Sequence, residues 1–60
     1  MATGNYRITL IFDGYIREYY CELATESSIL FDALYRGASW DSLEVVDTRT
    51  LTTVQYIKKN

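Results

Sequence analysis

Sixty residues with eight acidic and six basic side chains carry a net charge of -2, so no long-range field draws this chain to nucleic acid or to an anionic membrane. One cysteine and no histidine exclude an internal disulfide, the usual zinc ligand sets and any mechanism built on an imidazole base. A core of this size buries only about 60% of the surface that the unfolded chain exposes, which leaves packing, or pairing with a second copy, as the source of stability.

Met1 to Asn5 has no basic leader, and the apolar residues after it are interrupted by Arg7, Thr9 and Asp13. Neither a signal peptide nor a membrane span is expected, and a cytoplasmic location suits the lone thiol. One domain over residues 1–60 is expected, with residues 1–5 lacking fixed structure. From Tyr6 to Phe12 the chain alternates, placing Tyr6, Ile8, Leu10 and Phe12 on one face of a strand and Arg7, Thr9 and Ile11 on the other. Asp13-Gly14 follows, the pair that a two-residue type I′ hairpin prefers because both central residues need positive φ. Counting outward from that loop sets Phe12 against Tyr15, Leu10 against Arg17, Ile8 against Tyr19 and Tyr6 against Cys21 on the core side. Arg7 then meets Tyr20, Thr9 meets Glu18 and Ile11 meets Ile16 on the outer side.

A helix is expected next, with Thr25 as N-cap, Glu26 favoured in the first turn by the macrodipole, and Gly37 as a left-handed C′ residue. Ile29, Leu30, Ala33 and Leu34 make one apolar face, while Phe31 and Tyr35 stand a turn apart on another side. Ser42 to Val46 and Leu51 to Ile57 are rich in β-formers, and Asp47-Thr48-Arg49-Thr50 is the expected turn between them. The order strand, strand, helix, strand, strand implies an α+β fold, an antiparallel sheet of three or four strands with one helix on one face. Such a sheet covers one side of the helix, so Phe31 and Tyr35 are expected to meet another protein chain. Were the helix turned to seat them on the sheet, Ile29 and Ala33 would stand outside, and apolar surface stays uncovered in either rotation.

Catalysis finds little support. Cys21 is expected to point inward as a small hydrophobe, none of the glycines at positions 4, 14 and 37 opens a helix, and scattered carboxylates need a concave, partly dry site that so small a domain rarely holds. A non-enzymatic protein without metal or cofactor is expected. Six tyrosines and a tryptophan exceed the needs of a small core and suit an interface, with Tyr15, Tyr19 and Trp40 read as core or core rim. Glu18 and Glu22 flank Tyr20 on the outer face of the second strand, Glu26 starts the helix and Asp32 flanks Phe31. Carboxylates around an apolar patch suit a basic, DNA-binding partner.

The Asp13-Gly14 turn, the Tyr19-Tyr20 pair and Phe31-Asp32-Ala33-Leu34-Tyr35 on the helix together resemble, in order and spacing, the small uracil-DNA glycosylase inhibitors of Bacillus podophages. The resemblance covers about Tyr6 to Gly37. It implies a phage-encoded homodimeric DNA mimic acting in the host cytoplasm, with host uracil-DNA glycosylase and a second copy of the chain as partners. Phe31, Tyr35 and Leu34 would lie at the dimer interface. Phe31, Asp32 and Tyr35, with Glu22, Glu18 and Glu26, would meet the enzyme, carboxylates replacing DNA phosphates. Cys21 stands where that family has an acid, an extra residue follows Tyr35, and Thr48 to Asn60 extends past the family's usual end. The alternative expectation is an acidic interaction or anti-defence module with a different basic partner.

Overall fold

A computed structural model describes residues 4–59. The elements run β1 (Tyr6–Phe12), β2 (Tyr15–Cys21), α1 (Ala24–Gly37), β3 (Ser42–Asp47) and β4 (Thr52–Lys58). The strands form one antiparallel sheet in the order β2-β1-β3-β4, and α1 packs across β1, β2 and β3. The expected α+β architecture is therefore present, with four strands and a single helical layer.

The first hairpin follows the expected register at every pair from Tyr6↔Cys21 to Phe12↔Tyr15. Asp13 and Gly14 have φ of 50° and 82°, as a type I′ turn requires. Asp41 braces this end of the sheet: its N–H donates to the Ile11 carbonyl, and its Oδ2 accepts the Asp13 N–H at 2.9 Å. At the other end, Gly4 and Asn5 are held rather than loose. Thr48 Oγ1 donates to the Gly4 carbonyl at 2.8 Å, Thr48 N–H donates to the Asn5 carbonyl, and Asn5 Nδ2 donates to the Glu22 carbonyl. A Cβ on Gly4 would come within 2.8 Å of the Cys21 carbonyl oxygen, so only glycine lets this segment lie so close to β2. Residues 1–3, the remainder of the segment expected to lack fixed structure, lie outside the described residues.

Helix α1 departs from expectation at both ends and in its rotation. It starts at Ala24 with Leu23 as N-cap, because the Glu26 carboxylate reaches back to accept the Leu23 N–H at 3.3 Å; Thr25 lies inside the first turn. At the other end Gly37 is helical and Ala38 caps in extended backbone, its N–H closing on the Leu34 carbonyl, so no left-handed residue is used. The face turned to the sheet is Ser27, Leu30, Phe31, Leu34 and, beyond the last turn, Ala38. Phe31 is 7% exposed, whereas Ile29 is 72% exposed and Ala33 also faces out. Leu30 and Leu34 belong to either rotation, so the choice lies between seating Phe31 or Ile29. Phe31 has the larger apolar area, a gain on the order of 1 kcal/mol, and it joins Trp40, Ile8, Leu10, Leu43 and Val45 in one cluster.

β3 and β4 are joined through Thr48–Leu51 rather than ending the turn at Thr50, and β4 starts at Thr52. Val45 pairs with Gln55 but Val46 with Thr53, which leaves Val54 as the extra residue of a bulge. Gln55 and Ile57 lie on the helix side with Val45 and Leu43, and Tyr56 lies on the outer side with Glu44.

Candidate functional site

Between α1 and β4 lies an open depression of about 280 Å³ lined by Ser28, Phe31, Asp32, Tyr35, Gln55 and Ile57. The helical spacing from 28 to 32 and from 31 to 35 sets these side chains on adjacent turns. Since the helix lies over β1 to β3, the unshielded inner side of β4 completes the far wall. Phe31 supplies an apolar floor. Its ring is not the free surface that the sequence suggested, because the core has already taken most of it. Tyr35 keeps 47% of its surface exposed and leans on Trp40, with ring centroids 5.4 Å apart. Trp40 is fixed by donating its indole N–H to the Tyr35 carbonyl at 3.1 Å. Asp32 stands at the rim and accepts from Arg36 Nε at 3.2 Å, one turn on, so part of its charge is answered within the chain.

Three of the expected contact residues thus share one concavity, and three do not join it. Glu18 belongs to the opposite side, pairing with Thr9 on the outer face of the sheet, and Glu22 lies in the connection after β2, outside the lining of the depression. Glu26 is at the far end of the helix, engaged with the Leu23 N–H. Leu34, expected at a dimer contact, packs against the core. The apolar side chains that α1 turns outward are Ile29 and Ala33. Gln55 and Ile57 were missed as pocket residues; the β-rich pattern of β4 was readable, but its placement beside the helix depends on sheet order.

The outer face carries Ile16, Glu18 and Tyr20 from β2, Arg7, Thr9 and Ile11 from β1, Glu44 and Val46 from β3, and Tyr56 from β4. Arg7 Nε lies 3.9 Å from a Glu18 carboxylate oxygen, near enough for charge but too far for a good hydrogen bond. Trp40 and Tyr19 sit in or against the core as expected, but Tyr15 is 73% exposed because the helix stops short of the first turn. That shortfall opens a second depression of about 290 Å³ between Leu10, Phe12, Tyr15, Arg17, Tyr19 and Ala38.

Little in the site favours covalent chemistry. Burial, followed by the nearby Glu26 carboxylate, pushes the Cys21 thiol above its ordinary pKa, which opposes the thiolate needed for attack. Among the described residues no three His, Cys, Asp or Glu side chains converge to hold a metal, and no helix is long and apolar enough to cross a membrane. No family model matches the chain, and neither a curated protein nor a solved structure matches it.

Proposed function

We propose that this protein is a non-enzymatic inhibitor of uracil-DNA glycosylase, a phage-encoded DNA mimic that works in the host cytoplasm as a homodimer. The observation that carries the reading is the convergence of Phe31, Asp32 and Tyr35 on one concavity with an apolar floor and a single carboxylate, that of Asp32, at its rim. The depression is open and part-apolar, a shape that can receive an apolar side chain offered by an enzyme. Dimerisation would use Ile29 and Ala33 on the outer helix side with Tyr35 on the flank, since Phe31 and Leu34 already serve the protomer. An acidic module with another basic partner is the second reading, favoured by the placement of Glu18 and Glu44 on the outer face, on either side of Thr9.

Uracil excision by a bacterial uracil-DNA glycosylase, measured with the protein in excess, tests the first reading. Excision is expected to stop at about one dimer per enzyme, and Tyr35→Ala is expected to restore it while leaving the far-ultraviolet dichroism of the fold in place. Phe31→Ala is the less informative variant, because emptying that core position costs about 3–5 kcal/mol and unfolds a domain of this size. Undiminished excision in the presence of excess folded wild-type protein would reject the inhibitor assignment.

A further inference from the structure

The two edges of the sheet are unequally guarded. β4 carries a bulge at Val54, ends in Lys58 and is followed by Lys59, devices that discourage another strand from pairing there. β2 runs seven residues in unbroken register, with no bulge and no lysine. In a two-residue hairpin the pair flanking the loop exchanges both hydrogen bonds, so Tyr15, Arg17, Tyr19 and Cys21 turn their backbone groups toward β1. The N–H and C=O groups of Ile16, Glu18 and Tyr20 therefore aim at the edge that no described strand pairs.

The side chains along this edge specify what fits. Tyr15, Arg17 and Tyr19 point to the helix side, where the 290 Å³ depression lies; Ile16 and Glu18 point to the outer side. Arg17 makes no ion pair among the described residues, although it stands on the apolar side of the sheet. An unanswered guanidinium there repels a purely apolar strand and accepts one that brings a carboxylate. Self-pairing is a poor match. A two-fold at Glu18 sets that acid against its own copy, one at Arg17 does the same to the guanidinium, and one at Tyr19 sets Arg17 opposite Cys21, so no register of self-pairing within β2 places a carboxylate opposite Arg17.

We infer that the β2 edge docks an extended segment of another protein, added antiparallel, with the pattern apolar-Lys-Glu-Thr-apolar. The apolar residues lie opposite Tyr19 and Tyr15, at the mouth of the depression, and the Lys and Glu lie opposite Glu18 and Arg17. This contact is separate from the helix–β4 pocket and does not depend on the inhibitor reading. It is also one in which backbone bonds supply affinity and alternate side chains supply choice.

Two labelled peptides of identical composition test it, acetyl-Thr-Leu-Lys-Glu-Thr-Leu-Thr-amide and the same peptide with Lys and Glu exchanged. Fluorescence anisotropy with the full chain is expected to show the first binding at least about tenfold more tightly, equivalent to about 1.4 kcal/mol. Amide exchange at Ile16, Glu18 and Tyr20 is expected to slow when the first peptide binds. The double variant Arg17→Glu, Glu18→Lys is expected to invert the preference, which a generally damaged edge would not do. Equal binding of the two peptides, binding of neither, or protection of those amides by self-association without peptide would each overturn the inference.

Discussion

The two hairpins of this sheet are built on opposite terms. The β1–β2 turn uses Asp13 and Gly14, residues that accept positive φ, and its strands align without a slip. The β3–β4 turn spans Thr48–Leu51 and forces Leu51 to a φ of 56°, a conformation that costs an L-residue with a bulky side chain roughly 1–2 kcal/mol. It is secured by side chains instead: Asp47 Oδ1 accepts the Arg49 N–H at 3.0 Å, both Asp47 carboxylate oxygens take the guanidinium, and Thr48 ties the turn to Gly4. Its strands also slip by one residue at Val54. Where the turn residues suit the turn, register is set locally; where they do not, surrounding contacts must set it.

The comparison breaks most readily at Gly14. A Cβ there meets nothing within 4 Å, so the penalty is one of backbone conformation alone. Gly14→Val is expected to cost about 2 kcal/mol and to lower Tm by roughly 8–16 °C in thermal unfolding. Leu51→Gly sharpens the contrast from the other side. Relief of the left-handed strain, less the added freedom of the unfolded glycine, is expected to stabilise the protein by about 0.5–1 kcal/mol, read as a higher midpoint in urea.

The smallest effect lies at Asp47. Hydrogen bonds from the Arg49 side chain, then its backbone, hold this carboxyl below its ordinary pKa. Folding therefore gains from its ionised form above the unfolded pKa, near 3.9, and loses that gain as pH falls through the folded value. Asp47→Asn is expected to flatten the acid limb of a Tm-against-pH curve below about pH 4 and to leave the first hairpin's amide exchange unchanged.

The same contrast separates what is legible in the sequence from what is not. The alternation of Tyr6 to Phe12 and the Asp13-Gly14 pair carry the whole first register, because hairpin geometry is a matter of adjacent residues. α1 was legible as a helix but not in its rotation: Leu30 and Leu34 serve two competing apolar stripes, and only the sheet's demand for the Phe31 ring separates them. Its caps were misplaced for a similar reason, since Glu26 caps from inside the helix and Gly37 is left without a special role. Phe31, Asp32 and Tyr35 could be grouped from the sequence because they share adjacent turns of one helix. Gln55 and Ile57, which close the same pocket, arrive from β4 through a strained turn and a bulge that no local pattern announces.

Trp40 offers a practical consequence. The chain has one tryptophan, and its indole is buried, held by its N–H to the Tyr35 carbonyl and overlain by the Lys59 ammonium 4.6 Å from the ring centroid. Its fluorescence is thus a built-in optical gauge of the joint between the helix terminus and the last strand. A red shift of its emission that precedes the loss of helical ellipticity would reveal β4 peeling away first, with no dye attached.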